Sequence, residues 1–209
     1  MTKKEMMDKI AGSVRACRKC RLRDGALNAV PGDGNIDAEL VFIGEAPGRT
    51  EDETGLPFVG RAGKLLDESL KEIGFSRKDV WIGNIIKHRP PDNRDPLPDE
   101  ISVCEKFLEY QLKIISPVLI VTLGRFALNY FYPEGKITSD RGNLFRTKNY
   151  NIYPVYHPAA ALRNPEMMRG FKDDFKRIPQ VLDLIKKGKN DMPEQDVSEI
   201  EDGQLGLGL

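Results

Sequence analysis

Four stretches of this sequence hold side chains suited to chemistry. Cys17-Arg18-Lys19-Cys20 spaces two thiols so that the intervening turn points both sulfurs one way, which lets two thiolates grip one metal or cluster. Gly44-Glu45-Ala46-Pro47-Gly48 runs on to the adjacent acids Glu51 and Asp52 and then to Pro57-Phe58-Val59-Gly60. Small residues beside Glu45 let a ligand approach the backbone closely. Glu51 and Asp52 offer a general base or an electrostatic stabiliser, although such a pair is more often simply solvated. Phe58, by pattern alone, reads as a hydrophobic plug under a loop before it reads as a stacking platform. Asn84 opens a third stretch, Asn84-Ile85-Ile86-Lys87-His88-Arg89-Pro90-Pro91. Its amide presents a donor and an acceptor together, the pair needed to read the edge of a base, but an isolated Asn more often caps a turn. The fourth stretch is Tyr156-His157-Pro158-Ala159-Ala160. A His held by a following Pro is well placed to donate to a developing oxyanion, while a lone His is more often structural.

The elements that must position these groups alternate in type. Met6, Met7, Ile10 and Val14 mark a helix over 3–15. Leu40-Val41-Phe42-Ile43 is a short continuous apolar run, the mark of a strand covered on both faces. After a Gly- and Pro-rich loop over 44–60, Ala62, Leu65, Leu66, Leu70 and Ile73 recur at helical spacing, with Gly74 as a stop. Val80–Ile85 predicts a second strand, and Pro98 opens a helix carrying Ile101, Cys104, Phe107, Leu108, Leu112 and Ile115. A third strand over 118–121, a short helix over 124–132, a fourth strand over 152–156 and a helix over 165–187 complete the pattern. Strands alternating with helices predict an α/β fold of three layers, αβα, around a central, mainly parallel four-stranded sheet. In such a sheet, ligands bind beyond the carboxyl ends of the strands, where three of the four stretches fall.

The chain has 209 residues, 40% hydrophobic and 31% charged, enough for one globular unit with a buried core. No apolar run approaches the roughly 20 residues that span a bilayer. Met1-Thr2-Lys3-Lys4-Glu5 leads into no apolar stretch, so no secretory signal is expected and a cytoplasmic location is. The three cysteines cannot pair off, and in that compartment they would stay reduced. The zero net charge is uneven. Residues 190–209 hold six acids and no base, which leaves the body, 1–189, at +6. The body is expected to be the folded domain and 190–209 a disordered acidic tail. A basic body suits a polyanion such as DNA, although charge alone does not outweigh an ordinary solvated surface.

Taken together, the loops resemble the motif set of the uracil-DNA glycosylase superfamily, and more narrowly its thermostable family 4, which carries an iron–sulfur cluster. The first loop supplies G-E-A-P-G, E-D and G-x-P-F-V-G-x-A-G over residues 44–63. The second supplies N-x-x-K-x-R-P-P-x-N-R-x-P from Asn84, and the third H-P-A-A from His157. The likeness runs from about Cys17 to about Leu182. It implies hydrolysis of the bond between uracil and deoxyribose in single- or double-stranded DNA, with the base flipped into a pocket.

By resemblance, Phe58 stacks on uracil and Asn84 reads its edge. The backbone at Gly44, Glu45 and Ala46 lines the pocket, and His157 hydrogen-bonds O2. Glu51 orients water or stabilises the sugar cation, with Glu45 beside it, and Asn93 supports them. Leu162 or Arg163 wedges into the gap left by the flipped base. The family's cluster takes four cysteines. Here Cys17, Cys20 and Cys104 stand at three of those places and His88 at the fourth. The expected cofactor is a 4Fe–4S cluster completed by His88; a cluster lacking that ligand and a Cys3His zinc site are the alternatives. The expected partner is uracil-containing DNA, met in the nucleoid by a monomer. Gln204-Leu205-Gly206-Leu207 faintly resembles a sliding-clamp peptide but lacks its aromatic pair. Competing readings are a glycosylase for hypoxanthine or mismatched thymine, and a module that binds uracil-DNA without turnover. Covalent trapping would want a histidine in the loop after the His-Pro region or an inserted basic loop; neither is found, and the chain has only His88 and His157.

Overall fold

The computed structural model describes residues 1–188 and 196–197. α1 (Lys3–Ala16) begins at a capping box: Thr2 Oγ1 accepts from the Glu5 N–H at 3.2 Å, and the Thr2 N–H donates to Glu5 Oε2 at 2.8 Å. A turn, α2 (Leu22–Gly25), and a two-residue strand, β1 (Asp33–Gly34), lead into β2 (Leu40–Gly44). α3 (Arg49–Thr54) and α4 (Arg61–Glu72) follow, then β3 (Trp81–Asn84) and α5 (Pro98–Ile115). β4 (Leu119–Leu123), α6 (Arg125–Phe131), α7 (Ile137–Asp140), β5 (Phe145–Thr147) and β6 (Asn151–Val155) come next. The described part closes with α8 (Pro158–Ala161), α9 (Pro165–Lys186) and β7 (Asp196–Val197).

The sheet runs β1-β3-β2-β4-β6-β5-β7. Its centre, β3-β2-β4-β6, is parallel throughout and comprises the four strands expected from the apolar runs. The four-stranded expectation needs extension. β1 and β5 add antiparallel strands of two and three residues, too short for any periodicity to reveal. Asp196 and Val197 pair beside β5; the rest of the acidic tail, including Gln204–Leu207, lies outside the described residues. α3 likewise forms inside what reads as a featureless loop.

Alternate residues of β2 face opposite layers, as a pleated strand requires. Leu40 and Phe42 pack with Leu66 and Leu70 of α4 and with Phe171, Phe175 and Ile178 of α9. Val41 and Ile43 pack with Met7 of α1, Leu108 and Leu112 of α5, and Leu128 of α6. Phe42 stacks on Phe175 at 5.6 Å, and full burial of such a side chain contributes about 1.5–3 kcal/mol. The result is an αβα sandwich whose four central strands present their carboxyl ends to one edge.

Candidate active site

At that edge Gly44 and Asn84 are register partners, so the loops after β2 and β3 leave side by side. The pairing continues one step further, with the Ile85 and Ile86 N–H groups donating to the Gly44 and Glu45 carbonyls at 3.0 and 3.1 Å. Between these loops and the turn after β6 lies a cavity of about 350 Å³. Glu45, Glu51, Phe58, Asn84, Asn93 and His157 line it, with Ala46 and Arg163 also on its wall. A Cβ on Gly44 would fall 2.5 Å from both Asn84 Oδ1 and Phe58 Cζ, so this glycine is what lets the amide and the ring meet.

Asn84 is buried, and its Oδ1 has no hydrogen-bond partner. Leaving a buried acceptor unsatisfied costs about 1–3 kcal/mol, and a ligand donor in the cavity would restore it. Its backbone is held from behind. Lys87, fully buried, donates from Nζ to the Asn84 carbonyl at 2.8 Å and to Gln111 Oε1 at 2.9 Å, and Gln111 Nε2 donates to the Pro31 carbonyl at 2.8 Å. Burial pulls the Lys87 ammonium down to about 8, opposed by the Cys104 thiol.

Phe58 sits at φ +51°, a left-handed conformation that costs a residue with a side chain on the order of 1–3 kcal/mol. Its ring lies 5.8 Å from that of His157, inclined by 33°. The surrounding backbone is tied from several sides. Glu51 Oε1 accepts from the Val59 and Gly60 N–H groups at 2.9 and 2.8 Å. Arg77 donates to the Pro57 carbonyl at 3.1 Å and to the Phe58 carbonyl, while its Nε donates to Asp67 Oδ1 at 2.7 Å. A Cβ on Gly63 would fall 1.7 Å from the Phe58 carbonyl oxygen, so the loop closes directly over α4.

His157 caps α8: its Nδ1 accepts from the Ala159 N–H at 3.1 Å. A nitrogen that accepts carries no proton, so the neutral ring holds its hydrogen on Nε2. Burial, reinforced by Arg163 and opposed by Glu51, holds this histidine down at about 4. The Glu45 carboxyl moves the other way, pushed up to about 7 by burial and by Asp95, with Arg125 opposing. The cavity can therefore offer a neutral N–H donor, a carboxylate and a carboxyl that titrates near neutrality.

The adjacent acids separate. Asp52 turns away from the cavity and accepts from the Leu27 and Asn28 N–H groups at 2.9 and 3.2 Å, pinning that loop to α3. Asn93, also left-handed at φ +53°, accepts from Arg89 Nε at 2.8 Å. Leu162 follows α8 with 38% of its surface exposed, next to Arg163. Lys87, Gln111 and Arg77 drew no role from sequence reasoning. A lysine directly after the apolar pair Ile85-Ile86 was the one available signal; nothing local marks Gln111 or Arg77.

The cysteines gather on the α1–α5 side. Cys17 ends α1, Cys20 precedes α2 and Cys104 lies buried on α5. The Lys87 N–H donates to Cys104 Sγ at 3.2 Å, and the Leu22 and Arg23 backbones hydrogen-bond Cys20. Burial pushes the Cys104 thiol up to about 11, and Cys17 and Cys20 lie near enough to raise it further. His88 is buried with Nε2 unpartnered; burial and Arg23 lower its pKa, and Asp52 opposes them. Among the described residues, no three His, Cys, Asp or Glu side chains meet closely enough to hold a single metal ion. Three thiols, N–H groups directed at two of the sulfurs and an orphaned imidazole nitrogen fit a cluster gripped at separate irons.

The family model described as the uracil DNA glycosylase superfamily matches residues 31–182. The type-4 uracil-DNA glycosylase of Saccharolobus solfataricus is 47% identical over 186 residues, covering 84% of this chain and 86% of its own. That of Sulfurisphaera tokodaii is 43% identical over 204 residues, covering 89% and 93%. That of Thermotoga maritima is 43% identical over 192 residues, covering 90% and 96%.

Proposed function

The chain belongs to the uracil DNA glycosylase superfamily, and we propose that it is a repair glycosylase that hydrolyses the bond between uracil and deoxyribose in DNA. The carrying observation is the buried, unpartnered Asn84 Oδ1 facing a cavity walled by Phe58 and by an Nε2-protonated His157. Uracil flips out of the duplex into this cavity, since the bond is unreachable in the stack. Phe58 covers its face. Asn84 Oδ1 accepts from N3–H while the amide NH2 donates to O4. Cytosine presents the reverse pattern, an acceptor at N3 and an amine at C4, and is rejected.

As the bond breaks, the base departs as an anion and the sugar becomes an oxocarbenium-like cation. His157 donates from Nε2 to O2, where negative charge builds. One preorganised donor of this kind is worth about 3 kcal/mol. Glu51 lies within electrostatic reach of His157, and its carboxylate stabilises the cation and orients the water that attacks C1′. Water supplies hydroxyl to the sugar and a proton to the base, which leaves an abasic site. Glu45 and Asn93 support this wall, and Leu162 and Arg163 enter the space vacated in the stack.

Cys17, Cys20, Cys104 and His88 would hold a 4Fe–4S cluster. Through it these residues would tie the end of α1 to α5 and to the loop after β3, a structural role, since hydrolysis moves no electrons. The protein works as a monomer, its folded body spanning 1–189, on DNA in the cytoplasm.

The test is single-turnover base release from oligonucleotides carrying uracil, hypoxanthine or mismatched thymine. Release of uracil above the others, with an alkali-labile site left behind, supports the proposal. Preferential release of another base replaces the substrate. Binding without release from any of them makes the protein a uracil-DNA binding module.

A further inference from the structure

We infer that Arg77, outside the cavity and outside the loops that carry the resemblance, is the positioning residue that holds Phe58 in its base-stacking conformation. The inference rests on the reading of Phe58 as the residue that covers uracil. Phe58 carries a full side chain at φ +51°, where the backbone does not rest unaided. Its neighbours 59 and 60 are tied through their N–H groups to Glu51. The carbonyls of Pro57 and Phe58 are instead bound by the two terminal nitrogens of one guanidinium, that of Arg77. The third face of that fork, Nε, is fixed at 2.7 Å by Asp67 of α4, the helix that starts three residues after Phe58. Each edge of the planar group is therefore used. A lysine ammonium is a point donor and cannot reproduce three bonds in one plane.

The arrangement couples the ring to the scaffold. Arg77 follows α4 and Asp67 lies within that helix, so the carbonyls at 57 and 58 are bolted to α4. Without the bolt, the 57–58 segment relaxes toward negative φ. The ring then leaves the wall it shares with His157 and Asn84. A displacement near 1 Å at a reacting centre lowers rates on the order of 100-fold. All three guanidinium nitrogens of Arg77 bond within the protein and the residue does not line the cavity, so the loss falls on the rate and not on DNA affinity.

Four variants test this: Arg77→Met, Arg77→Lys, Phe58→Leu and the Arg77→Met/Phe58→Leu double. The readouts are single-turnover uracil release from a single-stranded oligonucleotide and anisotropy binding of the same oligonucleotide carrying non-cleavable 2′-fluoro-2′-deoxyuridine. Arg77→Met is expected to release uracil about 10- to 100-fold more slowly, with binding changed less than about threefold. Arg77→Lys keeps the charge opposite Asp67, melts as wild type does and still loses at least about fivefold. The double variant is expected to be no slower than Phe58→Leu alone, because Arg77 acts through that ring. A wild-type rate in Arg77→Met or in Arg77→Lys overturns the inference, as does a double variant slowed by the full product of the single effects. A crystal structure of Arg77→Met decides the same point without activity: Phe58 at negative φ supports the clamp, and an unchanged φ refutes it. If wild-type protein releases no uracil, the functional reading fails, and this structure still settles what Arg77 does.

Discussion

Replacing His157 by alanine removes two things at once, and they are read by different measurements. One is the Nε2–H that the proposed mechanism directs at uracil O2. The other is the Nδ1 acceptor that caps α8, at 3.1 Å from the Ala159 nitrogen. Loss of the donor should cost about 3 kcal/mol in the transition state, on the order of 100-fold in single-turnover rate. Loss of the cap should cost about 1 kcal/mol of stability, seen as a small drop in melting temperature with no bearing on the rate.

The pH dependence of the same group sharpens the test. His157 is held down at about 4, so the wild-type rate should show no inflexion near the ordinary histidine value of about 6.5. An inflexion near 7 belongs to Glu45 and should vanish in Glu45→Gln. For stability, the folded His157 binds its proton less readily than the unfolded one. Its contribution is complete above about pH 6.5 and is lost as pH falls toward 4, up to about 3 kcal/mol. His88 is depressed too and acts in the same direction, so the His157 share is the part that disappears in His157→Ala. The reasoning is refuted if the alanine variant stays within about threefold of wild type. It is equally refuted if the wild-type rate falls with an apparent pKa near 6.5 that His157→Ala abolishes.

Three further outcomes are expected. Gly44→Ala places a Cβ 2.5 Å from both Asn84 Oδ1 and Phe58 Cζ; it should fold, by circular dichroism, yet lose on the order of 100-fold in uracil release as the two groups are forced apart. Lys87→Met strands the Asn84 carbonyl and Gln111 Oε1 in the interior; urea unfolding should show a loss of about 2 kcal/mol, with a slower excision rate. Purified protein should be brown, with about four irons and four sulfides per chain and negligible zinc by elemental analysis. His88→Cys should keep that spectrum, whereas Cys104→Ser should bleach it.

Much of the site was legible because its residues are contiguous in the chain. Leu40–Ile43, Val80–Ile85 and Ile152–Tyr156 announce buried strands, and at or just beyond their carboxyl ends stand Glu45, Glu51, Phe58, Asn84 and His157 in short motifs. The separation of Glu51 from Asp52 was not legible, because neighbouring side chains on α3 point in different directions and only the folded loop at 26–28 decides which one it meets. Arg77 and Gln111 were invisible for a related reason. Arg77 meets Phe58 from 19 residues away, and Gln111 meets Pro31 from 80 away. Such contacts exist only once α4, β3 and α5 have packed. β1 and β5 escaped notice because two or three residues cannot display a period of two.

The central claim is that the amide of Asn84 reads uracil in this cavity. Its most direct test is uracil release from a single-stranded oligonucleotide bearing one deoxyuridine, with wild type and Asn84→Ala compared under single-turnover conditions. The account predicts complete release by wild type, none from the matching deoxycytidine oligonucleotide, and a loss of at least about 100-fold in Asn84→Ala with folding intact. Full activity in Asn84→Ala, or equal release of cytosine by wild type, would contradict it.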